Sequence, residues 1–364
     1  MAGRSLYVVG GLAVVATAGA WWVAQQRAPQ TSVGAEQALV EGLSERINDV
    51  SEIAITVAGG ASRVTLQRRD DVWGVAQRGG YPADLSKVRK LLIDIADAML
   101  VERKSARAEN YPALGVRAIS DPAATGVQVE LIGLDSPASF IVGKSARGNG
   151  AVYVRRSDED VSWVANPRMS VTQDPADWLV NDLIDVNESR VTRISITQPD
   201  GAVLDVTRNG ANFDVADIPA DRELSSPTVA NELAGIFNNL KFDDVTPASE
   251  FDAGDAEPVA VRFETSDGLV VDALATAANN EYYLSLTATP IAVDPAKFAE
   301  VLADDQQDSG APSAEQKAAA MLDAIENQSR EINERVANWV FTIPLFKYEQ
   351  LSKTRDALLA DVDE

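Results

Sequence analysis

The segment with the residue types closest to a known chemical motif is GKSARGNG, residues 143–150. A lysine and a serine beside glycines are the components of a phosphate-binding loop. That motif also needs a glycine upstream of Gly-Lys-Ser at a fixed spacing and a helix after the loop, and neither is found here. The spacing therefore favours a hairpin loop between two strands, and we predict no cofactor site in this segment.

Acidic residues are the second candidate for chemistry. Asp174, Asp177, Asp182 and Asp185 could be read as calcium ligands, but the glycine and terminal glutamate of a calcium-binding loop are missing. The spacing instead favours the solvent-facing side of a helix. The same interpretation holds for the acidic residues in 252–257. We therefore predict no metal site.

The chain contains no histidine and no cysteine, which limits the catalysis that it could perform. Serine–histidine and cysteine–histidine machinery are excluded, and the commonest general base is absent. Carboxylate, lysine, tyrosine or serine–lysine chemistry remains, but no spacing points to it. We predict no catalytic residue and a non-enzymatic protein, with a carboxylate-dependent hydrolase of envelope polymers as a lesser alternative.

The charge balance is strongly acidic, with 55 acidic and 32 basic residues and a net charge of −23. Nucleic acid is an unsuitable partner because phosphate contacts need clustered lysine and arginine. The acidity either maintains solubility or serves to bind a basic partner.

The closing segment NWVFTIPLFKYEQL is unusually apolar for a chain terminus. Such a surface either docks back on the rest of the protein or binds a partner. Other aromatic residues, Trp73, Tyr81, Trp163 and Trp178, are more typical of core packing. The candidate partner-binding residues in the closing segment are Trp339, Phe341, Ile343, Leu345, Phe346 and Tyr348.

These candidates belong to a chain that repeats itself. The segment from Asn48 to about Gly115 reappears, much diverged, from Asn187 to about Gly254. In this alignment Ile53 and Ile55 match Ile194 and Ile196, and with one gap Leu66, Trp73 and Val75 match Val206, Phe213 and Val215. A repeat of this kind indicates one structural unit present twice.

Each repeat is predicted to contain three strands, a helix, a loop and three further strands. Alternating apolar residues in EIAITVAG predict a strand, and Val88, Leu91, Leu92, Ile95 and Met99 form a helical stripe. The second repeat has its predicted helix at 225–240. A connecting helix is predicted between Pro167 and Asp185, a short helix at Pro295–Asp305, and a long amphipathic helix from about Ser313 to Ala337.

An uncharged run, LYVVGGLAVVATAGAWWVA, occupies residues 6–24 and is long enough to span a bilayer. Its apolar and aromatic residues include Leu6, Val14, Trp21 and Trp22, the two tryptophans lying at the outer end. Arg4 before the run predicts a cytoplasmic N-terminus, with the rest of the chain outside. The alternative is a cleaved signal peptide with Ala18-Gly19-Ala20 as its cleavage site.

The predicted fold class is α+β: a single N-terminal transmembrane helix, two homologous units of antiparallel sheet plus helix, and a C-terminal helical extension. The predicted segments are an anchor at 1–27, a stalk at 28–47, repeat unit 1 with its connecting helix at 48–186, repeat unit 2 at 187–303, and a linker with the extension at 304–364.

The anchor, the block VWGV…YPADLSKVRKLLIDIADAML, its second copy NFDV…IPADRE…VANELAGIFNNL and the closing WVFTIPLFKYEQL carry a resemblance. The chain resembles a bacterial, membrane-anchored, repeat-bearing family of unknown function. Genes of that family often lie beside an ABC-type exporter and a gliding-motility-type auxiliary protein. The resemblance implies an association with such a transporter in the envelope, and no catalytic residues.

The resemblance and the residues together predict a non-enzymatic accessory or scaffold subunit of an ABC-type envelope transport system. The expected partners are the membrane, the ABC permease and the gliding-motility-type auxiliary protein. The expected location is the bacterial inner membrane, with a single span and the bulk of the chain in the periplasm. The alternative is a periplasmic module that binds a polymer such as a glycan.

Overall fold

The computed structural model describes residues 37–60, 63–146, 150–291 and 314–360. It is a mixed α+β structure in which the strand pairings are antiparallel. The described residues form two compact units. Unit 1 contains the described residues up to Arg63 together with Ser86–Gln173, and unit 2 contains Val64–Leu85 and the described residues from Asp174 onward.

The strands and helices are numbered in chain order. The strands are β1 Gln37–Ala38, β2 Glu52–Thr56, β3 Arg63–Arg69, β4 Val72–Val75, β5 Tyr81–Pro82, β6 Met99–Arg103, β7 Val127–Ile132, β8 Ala138–Ser145, β9 Val152–Arg156, β10 Ser162–Asn166, β11 Asp182–Ile184, β12 Val191–Thr197, β13 Val203–Asn209, β14 Asn212–Val215, β15 Leu240–Lys241, β16 Asp244–Pro247, β17 Val259–Thr265, β18 Leu269–Ala278, β19 Glu281–Pro290 and β20 Trp339–Thr342. The α-helices are α1 Leu43–Arg46, α2 Leu85–Ala96, α3 Tyr111–Leu114, α4 Asn231–Ala234, α5 Ala314–Val336 and α6 Leu345–Leu351.

In unit 1 neighbouring strands follow the order β1-β6-β10-β9-β8-β7-β2. The sheet includes a strand that alternates in the way that the sequence predicts. In β7, Val127, Val129 and Leu131 are buried while the residues between them are half-buried. The predicted stripe of α2 is buried at Val88, Leu91, Leu92 and Ile95, but its last predicted member, Met99, lies beyond the helix in β6.

In unit 2 the main sheet has the order β14-β13-β12-β17-β18-β19-β20-β16, and β11 pairs with β15. Six strands of unit 1, β2-β7-β8-β9-β10-β6, correspond in order to β12-β17-β18-β19-β20-β16. The hairpins match in register as well, since Leu66 pairs with Val75 as Val206 pairs with Val215. The structure thus shows the same sheet twice.

A repeated cation–aromatic pair marks both hairpins. The guanidinium of Arg68 lies 6.0 Å from the ring centroid of Trp73, and that of Arg208 lies 4.5 Å from the ring centroid of Phe213. In each hairpin the arginine and the aromatic residue face each other across the strands. Such a pair contributes about 0.5–1 kcal/mol at an exposed site.

Strand β20 belongs to the second sheet although the sequence assigns it to a C-terminal extension. Trp339 faces Pro247 of β16 as Trp163 of β10 faces Arg103 of β6, so β20 is the counterpart of β10. Both strands contain Trp-Val, at 163–164 in β10 and at 339–340 in β20, and a proline lies within two residues of each strand's end. The long helix α5, which confirms the predicted amphipathic helix, therefore lies within the second repeat, between β19 and β20.

Two predicted helices are wrong in extent or in kind. The segment predicted as a connecting helix forms only the 3-10 turn Ala176–Trp178 and the strand β11. Its aspartates do not line a helix: Asp174 accepts from the Ala176 N–H, Asp182 pairs with Lys241, and Asp185 accepts from the Asn239 N–H.

The second helix that differs is the one predicted at 225–240, where only α4 is an α-helix. The predicted stalk is also partly wrong. Residues 37–47, inside the predicted stalk, form β1 and α1 with buried Leu39 and Leu43. The predicted helix at Pro295–Asp305 and the predicted anchor lie outside the described residues. No helix within the described ranges is long and apolar enough to cross a membrane.

The end of the first repeat's hairpin packs inside unit 2. Arg78 donates two hydrogen bonds to Asp244 of β16, at 2.5 and 2.7 Å from Nε and Nη2. Next to it the ring of Tyr81 lies edge-on to Phe242, Trp339 and Phe341. A segment that the sequence assigns to the first repeat is therefore part of the second unit's core.

A double-mutant cycle on Arg78→Ala and Asp244→Ala is expected to give a coupling energy of about 1–2 kcal/mol. The reason is that both side chains are mostly buried and the pair is bidentate. The measurement is urea unfolding of the four variants. Arg193 and Asp205 form a matched bidentate pair with a more exposed arginine, and should couple by about 0.5 kcal/mol. Equal coupling in the two pairs would contradict the structural role given to Arg78.

Candidate protein-binding surface

The closing segment is shaped by Pro344, which separates β20 from α6. Proline lacks an N–H and its backbone is extended here, with φ −63° and ψ 149°. It therefore ends the strand and precedes the first helical residue, Leu345. Pro344 therefore sets the direction in which the short helix α6 leaves the strand, and with it the positions of the side chains of α6.

The six residues predicted to bind a partner fall into three groups. Phe341 and Ile343 are buried in the core of unit 2. Trp339 and Tyr348 are half-buried. Leu345 and Phe346 are 49% and 56% exposed. Most of the segment thus docks on the second repeat, and the exposed apolar surface is reduced to two adjacent residues.

Helix α6 is held in place from the side opposite these two residues. Tyr348 stacks on Tyr282 of β19 with ring centroids 4.8 Å apart, and Leu351 is fully buried. The Nζ of Lys347 donates to the carbonyl of Ile236 at 3.2 Å. Burial lowers the pKa of Lys347. The side chains of Leu345 and Phe346 are consequently presented by a fixed helix.

We call the exposed pair Leu345 and Phe346 the α6 surface. Two further groups lie beside it. The ammonium of Lys347 lies 5.7 Å from the ring centroid of Phe346, within cation–π range. Gln350 lies one turn after Phe346, on the same side of the helix. Its Oε1 is buried and has no hydrogen-bond donor within the described part of the chain.

The segment at 143–150 contains the end of β8 and the residues that follow it, and β8 and β9 pair as a hairpin, as the spacing predicts. Residues 147–149 lie outside the described residues. In the described ranges no group of three or more acidic side chains is arranged to hold a metal ion. Leu6, Val14, Trp21 and Trp22, the predicted anchor residues, lie outside the described residues.

Sequence patterns did not indicate a groove in unit 1, with a cavity volume of about 540 Å³. Its lining comes from three separate stretches: Leu39–Glu41, Ser136–Phe140 and Arg156–Glu159. No single stretch has a recognisable motif, and only the folded sheet brings them together. Knowledge of the strand pairing would have been the one signal able to reveal it.

Comparison with known proteins gives one result. No curated protein and no solved structure matches the chain. One family model matches residues 73–262, which is more than half of the chain and runs from the first repeat's hairpin into the second sheet. The chain belongs to the family described as a domain of unknown function, DUF4340.

Proposed function

We propose that this protein is a non-enzymatic accessory subunit of an ABC-type transport system in the bacterial envelope, and that its α6 surface binds a protein of that system. The observation that carries the proposal is the exposed pair Leu345 and Phe346 on a helix fixed by Tyr348, Lys347 and Leu351. Adjacent exposed apolar side chains on a fixed helix form a surface that a partner protein can bury.

The sequence supports the other parts of the proposal. The apolar run at residues 6–24 would hold the protein in the membrane beside a permease, with the two units outside the cytoplasm. The absence of histidine and cysteine makes most hydrolytic machinery inaccessible. The family resemblance supplies the ABC transporter and the gliding-motility-type auxiliary protein as the expected partners.

The test is affinity purification of the full-length chain from native membranes in mild detergent, followed by quantitative mass spectrometry. The unaltered chain should recover an ABC permease and ATPase in comparable molar amounts. Leu345→Asp with Phe346→Asp should reduce their recovery at least about tenfold, because burying two large apolar side chains contributes about 1.5–3 kcal/mol each.

Val203→Asp is the matched control, since Val203 is a 40% exposed apolar residue of the same unit. Its recovery of the transporter should equal that of the unaltered chain. Equal losses in both variants would remove the α6 surface from the proposal. Recovery of the chain alone, without permease or ATPase, would contradict the transporter association and favour a polymer-binding module.

A further inference from the structure

Helix α5 covers the end of a strand in unit 2. The side-chain amide of Asn333 bonds to both the N–H and the carbonyl of Ala288 in β19, at 2.8 and 2.7 Å. Arg335 donates to the carbonyl of Leu183 in β11 at 3.2 Å. The helix therefore satisfies backbone groups of β19 and β11 that would otherwise need water.

The same helix reaches the turn between β17 and β18. Arg190 donates to Gln328 of α5 at 2.9 Å and forms an ion pair with Asp267 of that turn at 2.7 Å. The side of α5 that faces the sheet carries the buried residues Ala318, Ile325, Ser329, Ile332 and Val336. An amphipathic helix thus lies over the place where β11, the β17–β18 turn and the end of β19 meet.

The groove in unit 1 is formed by the counterparts of these three places. Arg156 ends β9 and faces Phe140 of β8, as Ala288 near the end of β19 faces Val271 of β18. The turn before β8 corresponds to the turn before β18. Strand β1 pairs with β6, and β11 pairs with β15. The two pairs correspond because β15 lies just before β16, the counterpart of β6.

The groove is prebuilt, with an apolar floor and fixed walls. Leu39, Val40 and Phe140 are buried beneath it, and Pro137 and Ala138, which also line it, supply the accessible apolar surface. Arg156 donates from Nε to the carbonyl of Leu39 at 2.9 Å and from Nη2 to that of Ala38 at 2.6 Å, which holds the two walls together. Its volume of about 540 Å³ is within the usual range for a binding site.

The rim of the groove is negatively charged. Arg156 is neutralised by Glu159, at 2.8 Å from its Nη1. Glu41 accepts a hydrogen bond only from the neutral amide of Gln37, and neither Glu41 nor Asp158 has an ion-pair partner within the described residues. Both carboxylates are exposed. A ligand of this groove therefore gains by bringing positive charge to its rim.

We propose that the unit 1 groove binds an amphipathic helix of a partner protein, with an apolar stripe toward the floor and lysine or arginine at the rim. In unit 2 the helix α5 covers the corresponding place, whereas no helix among the described residues of unit 1 lines the groove. The apolar floor selects the stripe, and Glu41 and Asp158 select its charge. This surface is separate from α6 and does not depend on the transporter association.

The experiment uses the absence of cysteine in the chain. Ser157→Cys places a single thiol at the rim of the groove in the full-length protein, held in uncharged detergent, and Asp97→Cys places one at an exposed site elsewhere in unit 1. Three bromoacetyl peptides of about 18 residues, or five helical turns, are compared. One has a leucine stripe with lysines, one has the stripe with glutamates, and one has the lysines with serines in place of leucines.

The lysine–leucine peptide should alkylate the thiol at position 157 at least about tenfold faster than the thiol at position 97, after division by each thiol's rate with iodoacetamide. The other two peptides should show no such preference. Adding Glu41→Lys and Asp158→Lys should abolish the preference, and Asp49→Lys, an exposed control, should retain it.

Three outcomes would overturn the proposal. An equal preference with the lysine–serine peptide would mean that charge alone attracts it. An equal preference with the glutamate–leucine peptide would mean that the rim has no selective role. Equal rates at positions 157 and 97 with the lysine–leucine peptide would mean that the groove does not bind a helix. None of these outcomes bears on the purification experiment that tests the α6 surface.

Discussion

Replacing Tyr81 with alanine is expected to lower the free energy of unfolding of unit 2 by about 3–5 kcal/mol, the usual cost of truncating a buried aromatic side chain. Tyr81 is only 2% exposed. Its ring centroid lies 5.5 Å from Phe242, 5.1 Å from Trp339 and 6.1 Å from Phe341. The measurement is urea unfolding of the full-length chain, with tryptophan fluorescence as the probe of the unfolding midpoint.

Tyr81→Phe is the control, because it keeps the ring and removes only the hydroxyl. It should cost less than about 1.5 kcal/mol, as volume-conserving changes do. If both variants lost the same stability, the hydroxyl rather than the ring packing would be responsible. A loss below about 1 kcal/mol for alanine would mean that the hairpin end is not part of the core.

The unaltered chain and Tyr81→Phe also give a test at alkaline pH. Burial raises the pKa of Tyr81 from 10.0 to about 12. The folded protein therefore holds this proton more tightly than the unfolded chain does, and the resulting stability is present below pH 10 and lost as the pH rises towards 12. The difference in stability between the unaltered chain and Tyr81→Phe should change across that interval, and a constant difference would contradict it. Taking the difference is necessary because the pKa of Tyr283 is also raised to about 12, by its hydrogen bond to Glu281.

Gly133→Ala should destabilise unit 1 by about 3 kcal/mol or more. Gly133 has φ +108°, a conformation that side chains rarely adopt, and an added Cβ would lie 2.3 Å from the carbonyl oxygen of Asp49 and 2.7 Å from the backbone nitrogen of Ser51. The expected loss combines backbone strain of about 1–3 kcal/mol with displacement of the backbone that follows α1. Urea unfolding again provides the measurement.

Gly201→Ala separates the two causes. Gly201 has φ +87°, but no heavy atom lies within 4 Å of the Cβ that alanine would add. Only the strain term applies, so the loss should be about 1–2 kcal/mol. Equal losses at Gly133 and Gly201 would show that the close approach of the Asp49 segment is relaxed at little cost.

The local elements could be predicted because their signals lie in short stretches of sequence. Alternation identifies β2 and β7, and helical spacing identifies α2 and α5. The aligned pairs Trp73–Phe213 and Val75–Val215 indicated the repeat, and six strands of one sheet follow the same order as six strands of the other. The strands and helices depend on neighbouring residues, and the repeat depends on comparing two segments of the same chain, so one sequence suffices.

The errors concern segments whose partners are far away in the chain. Leu183 and Ile184 suit either a helix or a strand, and pairing of β11 with β15 decides in favour of the strand. Trp339 and Phe341 suit either an exposed surface or a sheet, and pairing of β20 with β16 buries the second of them. Periodicity over a few residues contains no information about such partners.

The candidate surfaces were predictable only in part for the same reason. The sequence identifies an apolar closing segment but cannot separate Phe341, which the sheet buries, from Phe346, which α6 exposes. The unit 1 groove needs Leu39, Phe140 and Arg156 to meet, and these residues are far apart in the sequence. Its negative rim becomes visible only once Glu159 is seen to neutralise Arg156.

The packing of the hairpin end inside unit 2 has a consequence for how the protein is made. Arg78 and Asp244 are 166 residues apart, and Phe341, which contacts Tyr81, is made still later. A ribosome makes about 5–20 residues per second, so Tyr81 leaves it roughly 13–50 seconds before Phe341 does. During that interval the hairpin end that carries Tyr81 has been synthesised, but β20, on which it packs, has not. A chain released before β20 is complete leaves this hairpin without its core partners, so premature termination anywhere before Trp339 should produce a target for quality-control proteases.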